Sequence, residues 1–190
     1  MNKPLYLFVG RSASGKTTIA DILEQKHGYK QVSSYTTRPP RYSGEVGHEF
    51  VTEDEFNNLK ELVAYTEYNG FRYGTTSKQL NQCDIYVVDV PGVETLLEKY
   101  KTSRQIVIIY FDTTVYTRIN RMRCRGDSDT AIISRLLQDE KDDWLKQLDH
   151  LVWHYNRIVH KDVDLYSINA NGSLAGVLEM VRYYMEDESW

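Results

Sequence analysis

Gly10-Arg11-Ser12-Ala13-Ser14-Gly15-Lys16-Thr17 sets two glycines with four residues between them and follows them with lysine and threonine. Together those types suit one chemistry, the holding of phosphate. Glycine lets the backbone curl so that successive N–H groups point inward, and a helix starting there adds the positive end of its dipole. Lys16 can then reach the outer phosphates, and the Thr17 hydroxyl can take a coordination place on magnesium. A second cluster lies downstream, where Arg38 and Arg41 stand three residues apart and are stiffened by Pro39 and Pro40. Two such guanidiniums form a preorganised clamp for a doubly charged phosphate. Residue type alone also fits a solvated basic loop. Further arginines gather at Arg118, Arg121, Arg123 and Arg125, while acid dominates Asp139 to Asp143 and Glu186-Asp187-Glu188.

These groups need elements to position them. Leu5 to Val9 is a continuous apolar run ending at Gly10, as expected of a parallel strand buried on both faces. Lys16 to His27 carries apolar residues at 19, 20, 22 and 23 and stops at Gly28, which predicts a helix directly after the loop. Ile85 to Val90 and Ile106 to Phe111 read as two more strands, the second followed by a helix from Val115 to about Cys124. Strands alternating with helices imply a parallel α/β sheet with right-handed crossovers. From Ser33 to Leu80 the pattern breaks into short segments punctuated by Pro39-Pro40, Gly44, Gly47, Gly70 and Gly74, which predicts an inserted subdomain. Within it Thr52-Glu53-Asp54-Glu55 matches a capping box and predicts a helix from about Glu53 to Leu62. Apolar positions from Ile132 to Leu151 fit one face of a long helix starting at Asp129. Leu165 to Ile168 is a strand candidate, and Leu174 to Met185 the closing helix.

The 190 residues suit one domain, at roughly 100 to 200 residues per domain. With 41% hydrophobic and 26% charged residues the composition is that of a globular protein, and no apolar tract is long enough to span a bilayer. The apolar run Leu5 to Val9 is too short for a signal sequence, so the expected location is the cytoplasm. A net charge of -4 argues against a nucleic-acid backbone as main partner. Basic patches on an acidic protein suit a compact polyanion instead. Cys83 and Cys124 lack metal-ligand or disulfide spacing and read as free thiols. His150 and His154, four apart, could share a metal on a helix, although a packing role suits them as well.

The stretch Ser33-Ser34-Tyr35-Thr36-Thr37-Arg38-Pro39-Pro40-Arg41, continuing Ser43-Gly44-Glu45-Val46-Gly47-His48-Glu49-Phe50-Val51, resembles the acceptor-binding stretch of guanylate kinase, and the likeness extends over nearly the whole chain. The resemblance implies an α/β P-loop fold of three layers with a parallel central sheet. The core would be 1–32 and 81–190, the acceptor-binding subdomain 33–80, and an arginine-rich lid about 118–135. It implies transfer of the terminal phosphoryl of ATP, with Mg2+, to a nucleoside monophosphate, with GMP or dGMP favoured. ATP would lie on Ser12, Ala13, Ser14, Gly15, Lys16, Thr17 and Thr18, with its adenine beside Asn169 and the metal on Thr17. Arg38, Arg41, His48 and Tyr73 would hold the acceptor's phosphate, and Ser34, Thr75 and Asp89 would face its base. Lys16, Arg38, Arg125 and Arg135 would stabilise the transferring phosphoryl group. The partners implied are nucleotides, with neither nucleic acid nor membrane, on a monomer or homodimer.

Three positions depart from the family pattern. Ala64 stands where a second acidic residue is presented to guanine, with Glu67 a substitute only if the chain shifts by three residues. His48 replaces a phosphate-binding tyrosine. The span from Arg135 to Asn169 is about a dozen residues longer than the family's, which predicts either an extended helix or a helical hairpin inserted near Trp144 to Arg157. Other functions fit parts of the chain. Asp89-Val90-Pro91-Gly92 imitates a GTPase switch, but the guanine-reading Asn/Thr-Lys-x-Asp motif is missing. A non-catalytic interaction module would not need the intact loop. A changed acceptor, another nucleotide or a sugar phosphate, is the alternative that Ala64 motivates.

Overall fold

Leu5, Leu7 and Val9 alternate along the first strand with Tyr6 and Phe8, and the two sets bury into separate cores on opposite sides of one sheet. The computed structural model describes residues 3–41, 43–140 and 143–186, so Asp142, Asp187 and Glu188 of the acidic stretches lie outside the described residues. In chain order the strands are β1 Leu5–Val9, β2 Ser34–Thr36, β3 His48–Phe50, β4 Leu62–Tyr68, β5 Phe71–Thr76, β6 Ile85–Val87, β7 Ile106–Asp112 and β8 Val163–Asn169. The helices are α1 Lys16–His27, α2 Glu53–Asn57, α3 Ser77–Gln82, α4 Val90–Lys99, α5 Val115–Cys124, α6 Asp129–Asp139, α7 Trp144–His154 and α8 Leu174–Glu186.

The central sheet runs β6-β1-β7-β8 with every pairing parallel. Strand β7 repeats the two-sided alternation: Ile106, Ile108 and Tyr110 face one core, Val107, Ile109 and Phe111 the other. Helices α1 and α8 cover the second core through Ile19, Ala20, Leu23, Val177 and Val181, while α4 and α7 cover the first through Val93, Leu96, Leu97 and Leu148. The result is three layers, α/β/α, in which each fully buried aliphatic side chain contributes about 1.5–3 kcal/mol. Residues 33–80, expected as short segments, build a second sheet in the order β3-β2-β5-β4, closed by the hairpin β4–β5.

Three expectations need correction. The strand expected over Ile85 to Val90 ends at Val87, because Asp89 turns the chain and caps α4, its Oδ1 accepting the Gly92 N–H at 3.0 Å. Pro91 in the first turn suits that start. The capping box at Thr52 and Glu55 is formed, but its helix stops at Asn57 because Leu62 opens β4. The long helix from Asp129 is two helices: α6 ends at Asp139, whose side chain is buried, and α7 starts afresh on its own cap, Asp143, which accepts the Lys146 N–H at 3.2 Å. Helix α7 and the π-helical turn Tyr155–Val159 behind it occupy the place expected for an insertion. There His150 stacks on Trp153, with ring centroids 6.4 Å apart.

Candidate active site

Strand β1 delivers the chain into the phosphate loop, and α1 carries it away. Gly10 sits at φ +152°, and a Cβ there would meet the Phe111 carbonyl oxygen at 2.9 Å. Gly15, at φ +103°, opens α1 from the left-handed region. Both positions need glycine's missing side chain. Lys16 Nζ donates to the carbonyls of Gly10 (2.5 Å) and Arg11 (2.9 Å). Burial pulls its pKa down to about 8, an effect that the Asp139 carboxylate partly offsets. A cavity of about 500 Å³ opens over Ala13, Ser14, Gly15, Lys16, Thr17 and Thr18 and is closed by Arg121, Arg125, Gly172, Leu174 and Val177. Arg121 donates to the carbonyls of Ser14 (2.9 Å) and Ala170 (2.7 Å) and so ties α5 to both rims.

Asn169 stands apart from that lining. Its Oδ1 accepts from Asn171 Nδ2 at 2.8 Å, and the side chain is exposed at the end of β8. For a metal, Thr17 lines the cavity of about 500 Å³, and among the described residues no group of three or more His, Cys, Asp and Glu could hold an ion by itself. Such a donor set suits a magnesium ion whose remaining ligands are phosphate oxygens and waters.

A second cavity, about 200 Å³, is lined by the loop residues Gly10, Ser12 and Lys16 on one wall and by Ser34, Arg41, His48, Tyr73 and Asp89 on the other. Arg38 lies just behind it, 8% exposed, with its guanidinium on both Glu45 oxygens at 2.8 and 3.2 Å. Glu45 also accepts the Arg41 N–H at 2.6 Å. Burial works to raise the Glu45 pKa, but the bonds from Arg38 and Arg41 outweigh it and leave the carboxyl below its ordinary range. The two arginines are therefore a clamp braced by a carboxylate, a residue whose part spacing did not reveal. His48 shares a 3.0 Å hydrogen bond with Ser34 Oγ, and burial together with the Arg38 cation lowers its pKa. Thr75 is fully buried beside the Tyr86 phenol.

Asp89 does two jobs. Besides capping α4 it accepts from Thr66 Oγ1 at 2.8 Å, and burial raises its pKa against the pull of that bond. Thr66 and Tyr68 line the same cavity, neither marked by its spacing. Ala64 is wholly buried in the first core. Glu67 cannot take its part: the hairpin register pairs it with Arg72, and the side chain is exposed and bonded to the Tyr65 phenol.

In the segment expected as a lid, Arg125 Nε donates to Asp127 Oδ1 at 3.0 Å, and Arg135 is paired with the same carboxylate. The Arg125 bond is the main cause holding the Asp127 pKa low. Of this pair only Arg125 lines the donor cavity. Arg118 is wholly buried against Asp139 and Glu140, whereas Arg123 is exposed.

The guanylate kinase family model matches residues 2–165, most of the chain. The chain belongs to the guanylate kinase family. The guanylate kinase of Geobacter metallireducens is 32% identical over 148 residues, 70% of each chain. That of Fusobacterium nucleatum is 26% identical over 187 residues, covering 88% of this chain and 96% of the relative. The crystal structure of guanylate kinase from Anaplasma phagocytophilum superposes with a TM-score of 0.57 at 14% identity, over 98% of this chain and 86% of that one. Membership of the guanylate kinase family makes the α/β P-loop architecture and a nucleoside monophosphate kinase activity properties of this chain.

Proposed function

We propose that this chain transfers the γ-phosphoryl group of ATP to GMP or dGMP, giving ADP and the nucleoside diphosphate. The observation that carries the reading is the shared cavity, where Lys16 and the phosphate loop face Arg41, His48, Tyr73 and Asp89 across about 200 Å³. Transfer between two bound nucleotides needs both sites to open onto one space, and the protein's contribution is positioning and charge rather than covalent chemistry.

In this reading the inward N–H groups of Ser12 to Thr18 receive the donor phosphates, and Lys16 leaves its loop carbonyls for them. Magnesium, held by Thr17 and the phosphates, supplies charge neutralisation. Arg41 and Arg38 meet the acceptor phosphate, with Glu45 fixing their geometry. Tyr73 and His48 lie in the same lining as Ser34 and Asp89, which make the base end together with Thr75, a fully buried residue outside that lining. Residues 33–80 then act as the acceptor-binding subdomain of a single domain over 1–190, with the core at 1–32 and 81–190. Arg125 and Arg135, in a lid over about 118–135, exclude water and neutralise the loose transition state. A second reading, the same transfer to another monophosphate, is favoured by Ala64, which puts a methyl group inside the core where the family presents a carboxylate.

Incubation with ATP, magnesium and each of GMP, dGMP, AMP, CMP, dTMP and UMP, followed by ADP release, tests both. Turnover with GMP or dGMP, abolished in Lys16→Ala, is the expected result. Selective turnover of another monophosphate would replace guanine as the base, and no turnover with any would overturn the proposal.

A further inference from the structure

Asp139 has no part in the transfer as derived above, yet groups from three other elements converge on its carboxylate, and the residue is 1% exposed. Its Oδ2 accepts the Ser12 N–H at 2.7 Å and lies 3.3 Å from the Arg118 guanidinium. Its Oδ1 takes the Ser12 hydroxyl and the Tyr68 phenol, each at 3.3 Å, and those two oxygens are 3.1 Å apart. Ser12 belongs to the phosphate loop, Tyr68 is the last residue of β4 in the second sheet, Arg118 lies on α5, and Asp139 ends α6. The next residue repeats the link, as Glu140 bonds Arg11 at 2.5 Å and Arg118 at 2.9 Å.

Stability does not account for this arrangement. A buried ion pair recovers little more than its desolvation cost, and a carboxylate on the last residue of a helix faces the negative end of the dipole. What the carboxylate does provide is direction, because it holds a loop N–H and a phenol of the other sheet at fixed distances. In-line transfer depends on such registration, since a misplacement of about 1 Å costs about 100-fold in rate.

We propose that Asp139 is a positioning residue for phosphoryl transfer, registering the donor loop through Ser12 against the acceptor sheet through Tyr68. The proposal rests on the phosphoryl-transfer reading above. Asp139 and Tyr68 both line the shared cavity, where no spacing in the sequence pairs them.

A double-mutant cycle on kcat tests it. Asp139→Asn keeps the shape but removes the charge, whereas Tyr68→Phe removes only the phenol oxygen and leaves the Arg118 pair intact. Each variant is expected to lower kcat with the monophosphate about 10-fold while the KM for ATP stays within about twofold. The double variant should be no slower than the slower single one, because both cut one link. Restricting the comparison to protein that melts cooperatively separates this from a purely structural role, which would lower Tm and leave kcat per folded molecule unchanged. Should Asp139→Asn fail to fold, Tyr68→Phe alone decides. A kcat within twofold of the parent in Tyr68→Phe, losses that multiply in the double variant, or a changed KM for ATP with kcat intact would each overturn the proposal. A parent without turnover overturns the phosphoryl-transfer reading together with it, whereas an active parent with unaffected variants overturns the positioning role alone.

Discussion

Lys16 is the residue on which the proposed donor site turns, and its surroundings give it two opposing pH dependences. Burial lowers its pKa from 10.5 to about 8, so the free protein loses the ammonium as pH rises through about 8. Only the protonated form draws phosphate oxygens, and kcat/KM reports the free enzyme, so kcat/KM for ATP should fall above about pH 8. Stability should move the other way. The unfolded chain keeps the proton up to about 10.5 while the folded one has released it, so this lysine makes the protein more stable as pH climbs from about 8 to 10.5. Rate profiles and chemical denaturation across that window check both signs, and a flat kcat/KM to pH 10 would separate Lys16 from the donor phosphates. The same scale shows what a buried brace does to a motif: Arg38 and Arg41 read in sequence as a clamp stiffened by prolines, and Glu45 adds a carboxylate that bonds the Arg38 guanidinium and the Arg41 N–H.

At the scale of elements, the strand-to-helix joints matter most. Gly10 joins β1 to the loop where a Cβ would press on the Phe111 carbonyl oxygen, part of the neighbouring strand β7 that cannot give way alone. Gly10→Ala should therefore destabilise the protein by about 2 kcal/mol and lower Tm by about 4–8 °C, readable by calorimetry. An unchanged Tm would mean that the loop relaxes freely at that point. The second joint, from β6 into α4, explains why the sequence overran the strand. Val88 and Val90 continue the apolar pattern, but Asp89 caps a helix whose face packs into the core beside β4. Apolar continuity cannot distinguish a strand from the first turn of a buried helix.

Over the whole molecule, the donor cavity is assembled by one side chain that reaches across the fold. Arg121 from α5 holds the carbonyl of Ser14 in the loop and that of Ala170 after β8, segments that meet only because β1, β7 and β8 lie side by side. Arg121→Met keeps the aliphatic stem and removes those bonds. The KM for ATP should rise about tenfold while that for the monophosphate stays within about twofold. Equal effects on both would show that Arg121 supports the fold rather than the donor site.

Sequence alone determined the phosphate loop, the strand and helix that flank it, the alternation of the central sheet and the arginine pair, because each rests on neighbours within a few residues. Loop curvature, helix periodicity and turn chemistry are local. Only the tertiary structure decided that Arg118 is buried, that Asp139 ends a helix under the phosphate loop, that Thr66 meets Asp89, and that Ala64 is wholly buried in the first core. Those facts join residues 21 to 127 positions apart. Their cause is the way two sheets and the helices α5 and α6 pack on one another, and burial and pairing of charge then follow from that packing.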